Sequence, residues 1–299
     1  MKVLVTGATG LIGSALVDVL HKQDHEVASL TRSEARRPGE FRWDPGQGYI
    51  DPAALEGVDA VVHLAGESVA GRWTADKKRR ILDSRVTGTS LLSKAIAALE
   101  RPPVAMICAS GIGVYGDRGD EPVTEDSATP GDGFLVRVVR AWEAAAQPAR
   151  DAGVRVVHTR FGIVQSPRGG ALKTQLPLFR LGLGGPLGGG RQYVSWVSID
   201  DTVGAIVFAL SRDGIAGVVN VTAPAPVTQA EYARTLGRVL RRPAVLPAPA
   251  FAVRLVLGEF AGEVLEGQRA MPKRLSDNGY AFRHPDLEPA LRQLLNKTG

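Results

Sequence analysis

Thr6-Gly7-Ala8-Thr9-Gly10-Leu11-Ile12-Gly13 is the stretch that decides the fold. It follows the strand-like Lys2–Thr6 directly. It opens a segment, Leu11–Lys22, in which Leu11, Ile12, Ala15, Leu16, Val19 and Leu20 recur at helical spacing. In such a strand–turn–helix, Gly7 allows the tight turn and Gly10 lets the backbone approach a pyrophosphate without a Cβ clash. Gly13 lets the helix pack closely on the sheet. The helix start offers unpaired amides and a partial positive charge to phosphates, so Thr9, Leu11 and Ile12 belong to the same expected dinucleotide site. A glycine-rich turn without a ligand is the alternative, and the flanking strand and helix weigh against it.

Outward from that turn, strand and helix signals alternate. Glu26–Thr31, Asp59–Leu64, Val104–Ser110, Val154–Thr159 and Val218–Val221 read as short apolar strands. Thr74–Leu99, Phe134–Ala152 and Ile199–Leu210 read as helices, with Pro148 ending or bending the second. Apolar strands separated by helices predict an α/β fold: a Rossmann doubly wound parallel sheet covered on both faces. After Arg160 the texture changes. Ser166–Arg191 is rich in Gly and Pro, which predicts loops with a short helix near Leu172–Leu181. From Thr228 onward, helical segments are broken by Pro243, Pro247 and Pro249. The expected organisation is a nucleotide-binding domain over 1–165, to which 195–225 return, and a smaller C-terminal lobe from 166–194 and 226–299 on the substrate side.

The end of the second strand chooses the nucleotide. Ser29-Leu30-Thr31-Arg32-Ser33 has no carboxylate for a ribose 2′-hydroxyl. Arg32 suits a 2′-phosphate instead, with Thr31 or Ser33 donating a hydrogen bond, so the expected cofactor is NADP. Downstream, His63-Leu64-Ala65-Gly66 ends a buried strand, and its small residues would let the chain pass under the adenosine ribose.

The totals exclude several classes. The 299 residues carry 36 Lys+Arg against 31 Asp+Glu, a net charge of +5, with no basic run beyond Lys77-Lys78-Arg79-Arg80. That cluster reads as a solvated helix face, so no nucleic-acid partner is expected. No apolar run reaches membrane-spanning length and no signal peptide precedes the first strand, so the expected location is cytoplasmic. Cys108 stands alone in an apolar run and reads as a buried small hydrophobe. His21, His25, His63, His158 and His284 have no metal-ligand spacing, and no Gly-x-Ser-x-Gly or Walker sequence is present.

Beyond the turn, longer passages carry a resemblance. They are Leu64-Ala65-Gly66-Glu67-Ser68-Val69, Arg72-Trp73-Thr74, Asp83-Ser84-Arg85, Ala141-Trp142-Glu143-Ala144, the run from Phe179 to Gly185, Ser195 to Asp201, Leu265 to Arg269, and Met271 to Leu275. Together they resemble the extended short-chain dehydrogenase/reductases. Within that group they resemble the epimerase-like subfamily (NAD-dependent epimerase/dehydratase) with a C-terminal domain of unknown function, and the resemblance covers nearly the whole chain. It implies cofactor contacts at Thr31, Arg32, His63 and Leu64. It also implies that Arg85 reaches a phosphate, Ile163 lies near the nicotinamide and Asp44 lies near the adenine. It leaves a homodimer open, pairing through the two long helices.

The resemblance breaks at the chemistry. Active relatives use Ser, Tyr and a Lys four residues after the Tyr. Ser110 stands where the serine belongs. The helix around Phe134–Arg140 contains neither Tyr nor Lys, and Tyr115 in Gly113-Val114-Tyr115-Gly116 is the nearby phenol. Ser110 and Tyr115 are therefore the catalytic candidates. Gly182–Gly190 and Arg191 are the expected mobile wall of a substrate pocket. Ser198 stands where relatives commonly carry His, which weakens a general base there. Two functions follow. One is an NADP(H)-dependent epimerase or oxidoreductase acting on a small polar substrate. The other is a non-catalytic NADP(H)-binding sensor or regulatory protein.

Overall fold

The computed structural model describes residues 1–297. The first part of the chain lays down β1 (Lys2–Thr6), α1 (Leu11–Lys22), β2 (Glu26–Thr31), β3 (Glu40–Asp44), β4 (Tyr49–Ile50), β5 (Ala60–His63), α2 (Ala75–Ala97) and β6 (Ala105–Gly111). Then come β7 (Pro122–Val123), α3 (Phe134–Ala144), α4 (Gln147–Asp151), β8 (Arg155–Phe161), β9 (Ile163–Gln165), α5 (Gly170–Arg180), β10 (Tyr193–Val194), β11 (Trp196–Ser198), α6 (Ile199–Ser211) and β12 (Gly217–Val221). The last part adds β13 (Val227–Thr228), α7 (Gln229–Leu240), α8 (Ala250–Leu257), α9 (Ala261–Leu265), β14 (Arg269–Ala270), α10 (Lys273–Asp277) and α11 (Leu287–Leu294).

Eight strands form one sheet in the order β12-β8-β6-β5-β1-β2-β3-β4, parallel except at the β3–β4 edge. The order reverses between β1 and β5, where open α/β sheets place a crevice at the strands' carboxyl ends. Alternation along β1 shows why it is buried on both faces. Val3 and Val5 join Leu16, Leu20, Val203 and Ile206 of α1 and α6. Leu4 points the other way, toward Leu92 and Ile96 of α2. The expected doubly wound sheet is the one observed. β3 and β4 go beyond the strands expected: Phe41 and Trp43 alternate with charged residues over only five positions, and β4 is two residues long. Pro148 sits at the start of α4, so the expected long helix breaks just before it, where proline's missing N–H costs nothing.

A third cluster lies beyond the sheet's carboxyl edge. Leu172, Leu176 and Phe179 of α5 pack with Tyr232 and Leu236 of α7, Leu291 of α11 and the fully buried Trp196. The C-terminal segment is also stitched into the first part of the chain. β14 pairs with β7, and Ser195 donates to the Gln268 carbonyl and accepts from the Ala270 amide. Among the described residues, no helix is long and apolar enough to cross a membrane.

Candidate functional site

Two constructions sit at the carboxyl edge. The first is the glycine turn. Gly7 has φ +69°, a left-handed conformation that disfavours any side chain, and a Cβ there would lie 2.9 Å from the Leu64 carbonyl carbon. A Cβ on Gly13 would lie 2.1 Å from the Gly7 carbonyl oxygen, so α1 packs directly on the turn. Gly10 caps α1 without any side-chain hydrogen bond and, with Thr9, is exposed. The first amides of α1, at Leu11, Ile12 and Gly13, therefore have no intrahelical acceptor and no competing cap. Leu11 itself closes against Gly169 and Gly170.

Thr6 and His63 hold the two strands that flank the switch point. They face each other in register. The Thr6 hydroxyl accepts from the amides of Leu64 and Ala65, both at 3.1 Å. Its one proton is left for His63 Nδ1 at 2.7 Å, which assigns the imidazole proton to Nε2, 2.9 Å from Thr89 Oγ1. Burial pushes His63 down to about 4, so it is neutral. His63 shapes the bend into Leu64 and Ala65; both ring nitrogens are used inside the protein. Arg85 is committed in part. Its guanidinium donates to the carbonyls of Glu67 and Ile81 and stacks 4.8 Å from the Trp142 ring. A Cβ on Gly66 would meet it at 3.3 Å. Burial lowers Arg85 to about 10, with Glu67 opposing. Through Nη1 Arg85 buttresses the Ala65–Gly66 segment; its Nε and Nη2 make no hydrogen bond among the described residues.

At the end of β2, Arg32 is exposed, and the hydroxyls of Thr31 and Ser33 are 2.9 Å apart beside it. Glu67 lies below its usual range, chiefly through its hydrogen bond to Lys77, with Arg80 and Arg32 adding attraction. The basic run is thus neutralised by pairing: Lys77 and Arg80 with Glu67, Lys78 with Glu259, Arg79 with Asp76. Asp44, expected near an adenine, spends its carboxylate on the amides of Gly46 and Gln47. Ile163 is exposed at the start of β9, beside Trp196.

The second construction is a buried chain of side chains. Ser110, Arg160 and Asn220 stand in register across β6, β8 and β12. Ser110 Oγ donates to Glu143 Oε1 at 2.6 Å. Glu143, on α3, takes two bonds from Arg160, both 2.8 Å. Arg160 donates to the Tyr115 hydroxyl at 3.1 Å, and Tyr115 donates to Asn220 Oδ1 at 2.8 Å. The Asn220 amide closes on Glu125. Burial alone would raise Glu143 and lower Arg160; their mutual bonds outweigh it and keep both charged. Burial raises Tyr115 above the ordinary phenol range, with Arg160 opposing.

Tyr115 is buried and its proton is donated to Asn220 Oδ1, so it braces β8 and β12; it also lines the cavity described below. Ser110 keeps lone pairs but not its proton. The helix positions searched for Tyr and Lys are apolar: Phe134 lies 4.9 Å from Trp73, and Val138 packs beneath that pair. No catalytic spacing marks Glu143, Arg160 and Asn220. Their signal is a charge near the end of α3 and polar residues toward the ends of apolar strands.

A cavity of about 420 Å³ opens beside this chain. The loop Gly113–Asp117, the loop Pro130–Gly133 and the start of α3 wall one side; Glu263, Glu266 and Gln268 wall the other. The glycine-rich segment expected as its mobile wall is elsewhere and tightly packed: a Cβ on Gly185 would lie 2.0 Å from the Leu246 carbonyl oxygen. Ser198, Asp201 and His284 form another polar cluster, but all three are buried and serve to cap α6. Among the described residues, no group of His, Cys, Asp and Glu could hold a metal ion.

Residues 3–222 match the NAD dependent epimerase/dehydratase family. The chain belongs to that family. Its residues 248–294 match DUF1731, a domain of unknown function. This family member is 44% identical to an epimerase family protein of Mycobacterium tuberculosis (strain CDC 1551 / Oshkosh), covering 99% of this chain and 98% of that one. It is similar to the crystal structure of human epimerase family protein SDR39U1 (isoform 2) with NADPH, at 38% identity and TM-score 0.92 over 99% of each chain. It is also similar to a nucleoside-diphosphate sugar epimerase from Corynebacterium glutamicum, at 36% identity and TM-score 0.81, over 99% of this chain and 58% of that one.

Proposed function

We propose that the protein is an NADP(H)-dependent oxidoreductase or epimerase acting on a small polar substrate at the carboxyl edge of its sheet. The observation that carries this reading is the uncapped glycine turn with an exposed arginine at the end of β2. Glycines at 7, 10 and 13 leave room for a pyrophosphate where side chains would intrude, and Arg32 offers a planar pair of donors to a 2′-phosphate. The relative crystallised with NADPH supports the same choice of nucleotide. When bound, the nicotinamide supplies hydride transfer. The chain's own residues bind and orient. The α1 amides and Arg32 hold the phosphates, the Ala65–Gly66 segment carries the adenosine ribose, and Ser110, its proton held by Glu143, presents an acceptor to the reacting end.

A second reading, a non-catalytic NADP(H) sensor or regulatory protein, is favoured by one observation. Phe134 and Val138 make an apolar cluster with Trp73 in the helix where a working Tyr and Lys would stand. Titration with NADPH and NADH, wild type beside Arg32→Ala, tests the shared core of both readings. NADPH binding that weakens in the variant, with NADH unaffected, supports it. No binding of either nucleotide overturns it. Turnover in a substrate screen, lost in Ser110→Ala with NADPH affinity kept, then separates enzyme from sensor.

A further inference from the structure

The five most exposed large apolar side chains among the described residues lie in one part of the molecule. Leu181, Val245, Phe251, Leu255 and Val256 are each at least 70% exposed. The end of α5 and the residues after it, 180–188, run beside 242–250. Arg242 donates to the Arg180 carbonyl, the Leu246 amide to that of Gly184 and the Gly188 amide to that of Ala248. α8 begins where these paired segments end. On it Phe251, Arg254 and Leu255 share the outer face, and Val253 is the one buried residue. Single apolar residues on a surface are ordinary; protruding ones clustered in this way mark an interaction face.

The same segments are cationic and carry no carboxylate. No Asp or Glu occurs from 152 to 199 or from 232 to 258. The carboxylates at the ends of those two stretches are engaged: Asp151 accepts from Gln147, Asp200 pairs with Arg283, Glu231 caps α7 and Glu259 pairs with Lys78. Arg180, Arg241, Arg242 and Arg254 stand exposed among the apolar side chains. From 241 to 258 the only polar side chains are those of Arg241, Arg242 and Arg254, and from 180 to 188 the only one is that of Arg180.

We propose that this face docks the protein on an anionic lipid surface. It is made of two materials, protruding apolar side chains and arginines, and these answer the two layers at the edge of a bilayer. Phe251, Leu255 and Val256 enter the boundary between headgroups and acyl chains, and the guanidinium groups pair with lipid phosphates. A protein partner would need a rim of hydrogen-bonding side chains, which this face lacks, and a pocket shaped to each protruding residue. A fluid headgroup layer closes around such residues without either. A second copy of this chain across a two-fold axis would set four arginines against their own equivalents, with no carboxylate between them. Docking needs no membrane-spanning helix, because α8 lies along the surface. α9, which follows α8 and contributes Glu263 to the cavity, is then held beside the lipid. The proposal does not depend on the nucleotide reading above.

The test uses the full chain and sedimentation with two kinds of vesicle, phosphatidylcholine alone and phosphatidylcholine mixed with phosphatidylglycerol. The mixed vesicles are expected to bind about tenfold or more tighter, and added salt to weaken that binding. Phe251→Ser/Leu255→Ser should lose about tenfold or more on the mixed vesicles. Arg241→Gln/Arg242→Gln/Arg254→Gln should bring them down to the level of phosphatidylcholine. All five side chains are exposed, so both variants should unfold in urea as wild type does. Should the first variant fail that control, the arginine variant decides, and unchanged binding in it overturns the proposal. No binding to the mixed vesicles, equal binding to both kinds, or unchanged binding in a folded Phe251→Ser/Leu255→Ser variant also overturns it. So does a dimer of the protein alone that this variant dissolves, which would assign the face to a second copy. A polyglutamate peptide that binds more tightly than the mixed vesicles overturns it in favour of an acidic protein partner.

Discussion

The carboxyl ends of β1 and β6 lie on either side of β5 in one sheet, yet they are built from opposite materials. The end of β1 is made of backbone: glycines that leave space, an uncapped helix and a bend held by Thr6. The end of β6 is made of side chains, with Ser110, Glu143, Arg160, Tyr115 and Asn220 passing hydrogen bonds from α3 to β12. The first presents unsatisfied donors; in the second, the charges of Glu143 and Arg160 satisfy each other. A phosphate site can be left open because its amides are solvated when empty. A buried charge cannot be left open without a large desolvation cost, so it is closed by partners.

Removing one partner of the closed end should break this contrast most severely. Arg160→Met leaves Glu143 buried and unpaired and is expected to cost about 3–5 kcal/mol in urea unfolding, with the double variant Glu143→Leu/Arg160→Met costing less than the sum of the two single ones. Additive losses would show that the pair is not a unit. At the open end, Gly13→Ala forces a Cβ onto the Gly7 carbonyl. It is expected to lower stability by about 3 kcal/mol and to abolish NADPH binding. A variant that unfolds like wild type and still binds would sink the packing argument.

The two ends also share a pH response. His63 and His158 are both buried and lowered to about 4, His158 with Glu143 opposing the effect of burial. The unfolded chain protonates them near 6.5 and the folded protein does not, so stability should fall as pH drops from about 6.5 toward 4. Each contributes up to about 3 kcal/mol, and His63→Gln should flatten part of that slope. Stability that stays level over that range would mean the imidazoles are solvated. Arg32→Ala should weaken NADPH about 10–100-fold and NADH hardly at all, by calorimetry. The smallest effect belongs to Glu263. Its raised value means that the fold loses stability as pH rises from about 4.5 through 7. Glu263→Gln should recover about 1–2 kcal/mol above pH 7 once partial exposure is discounted, and no gain would place the carboxyl in solvent.

What could be read from the sequence follows the same division. Gly7, Gly10 and Gly13 are legible because a backbone site needs one residue type at fixed spacing, and the buried strands are legible because Val3, Leu4 and Val5 leave no polar face. The hydrogen-bond partners of Arg85 and Tyr115 were not legible because a side chain's partner is not encoded beside it. Arg85 finds the Glu67 carbonyl, and Tyr115 finds Asn220, 105 residues along the chain. The acidic cavity was illegible for the same reason, since Asp117, Asp132 and Glu263 meet only after the chain has folded back.

The stitching of the C-terminal segment bears on how such a protein can change. The family match ends at residue 222 and the match to the domain of unknown function begins at 248, as though two parts had been joined there. The molecule does not part at that point. Thr222 donates to the Ala270 carbonyl, Asn220 to that of Met271, and the Arg274 amide to Glu125. Exchanging either part for another protein's would strand these groups in the interior. The segment is a keel rather than an accessory, and whatever specificity evolves at the cavity must evolve within a single unit of inheritance.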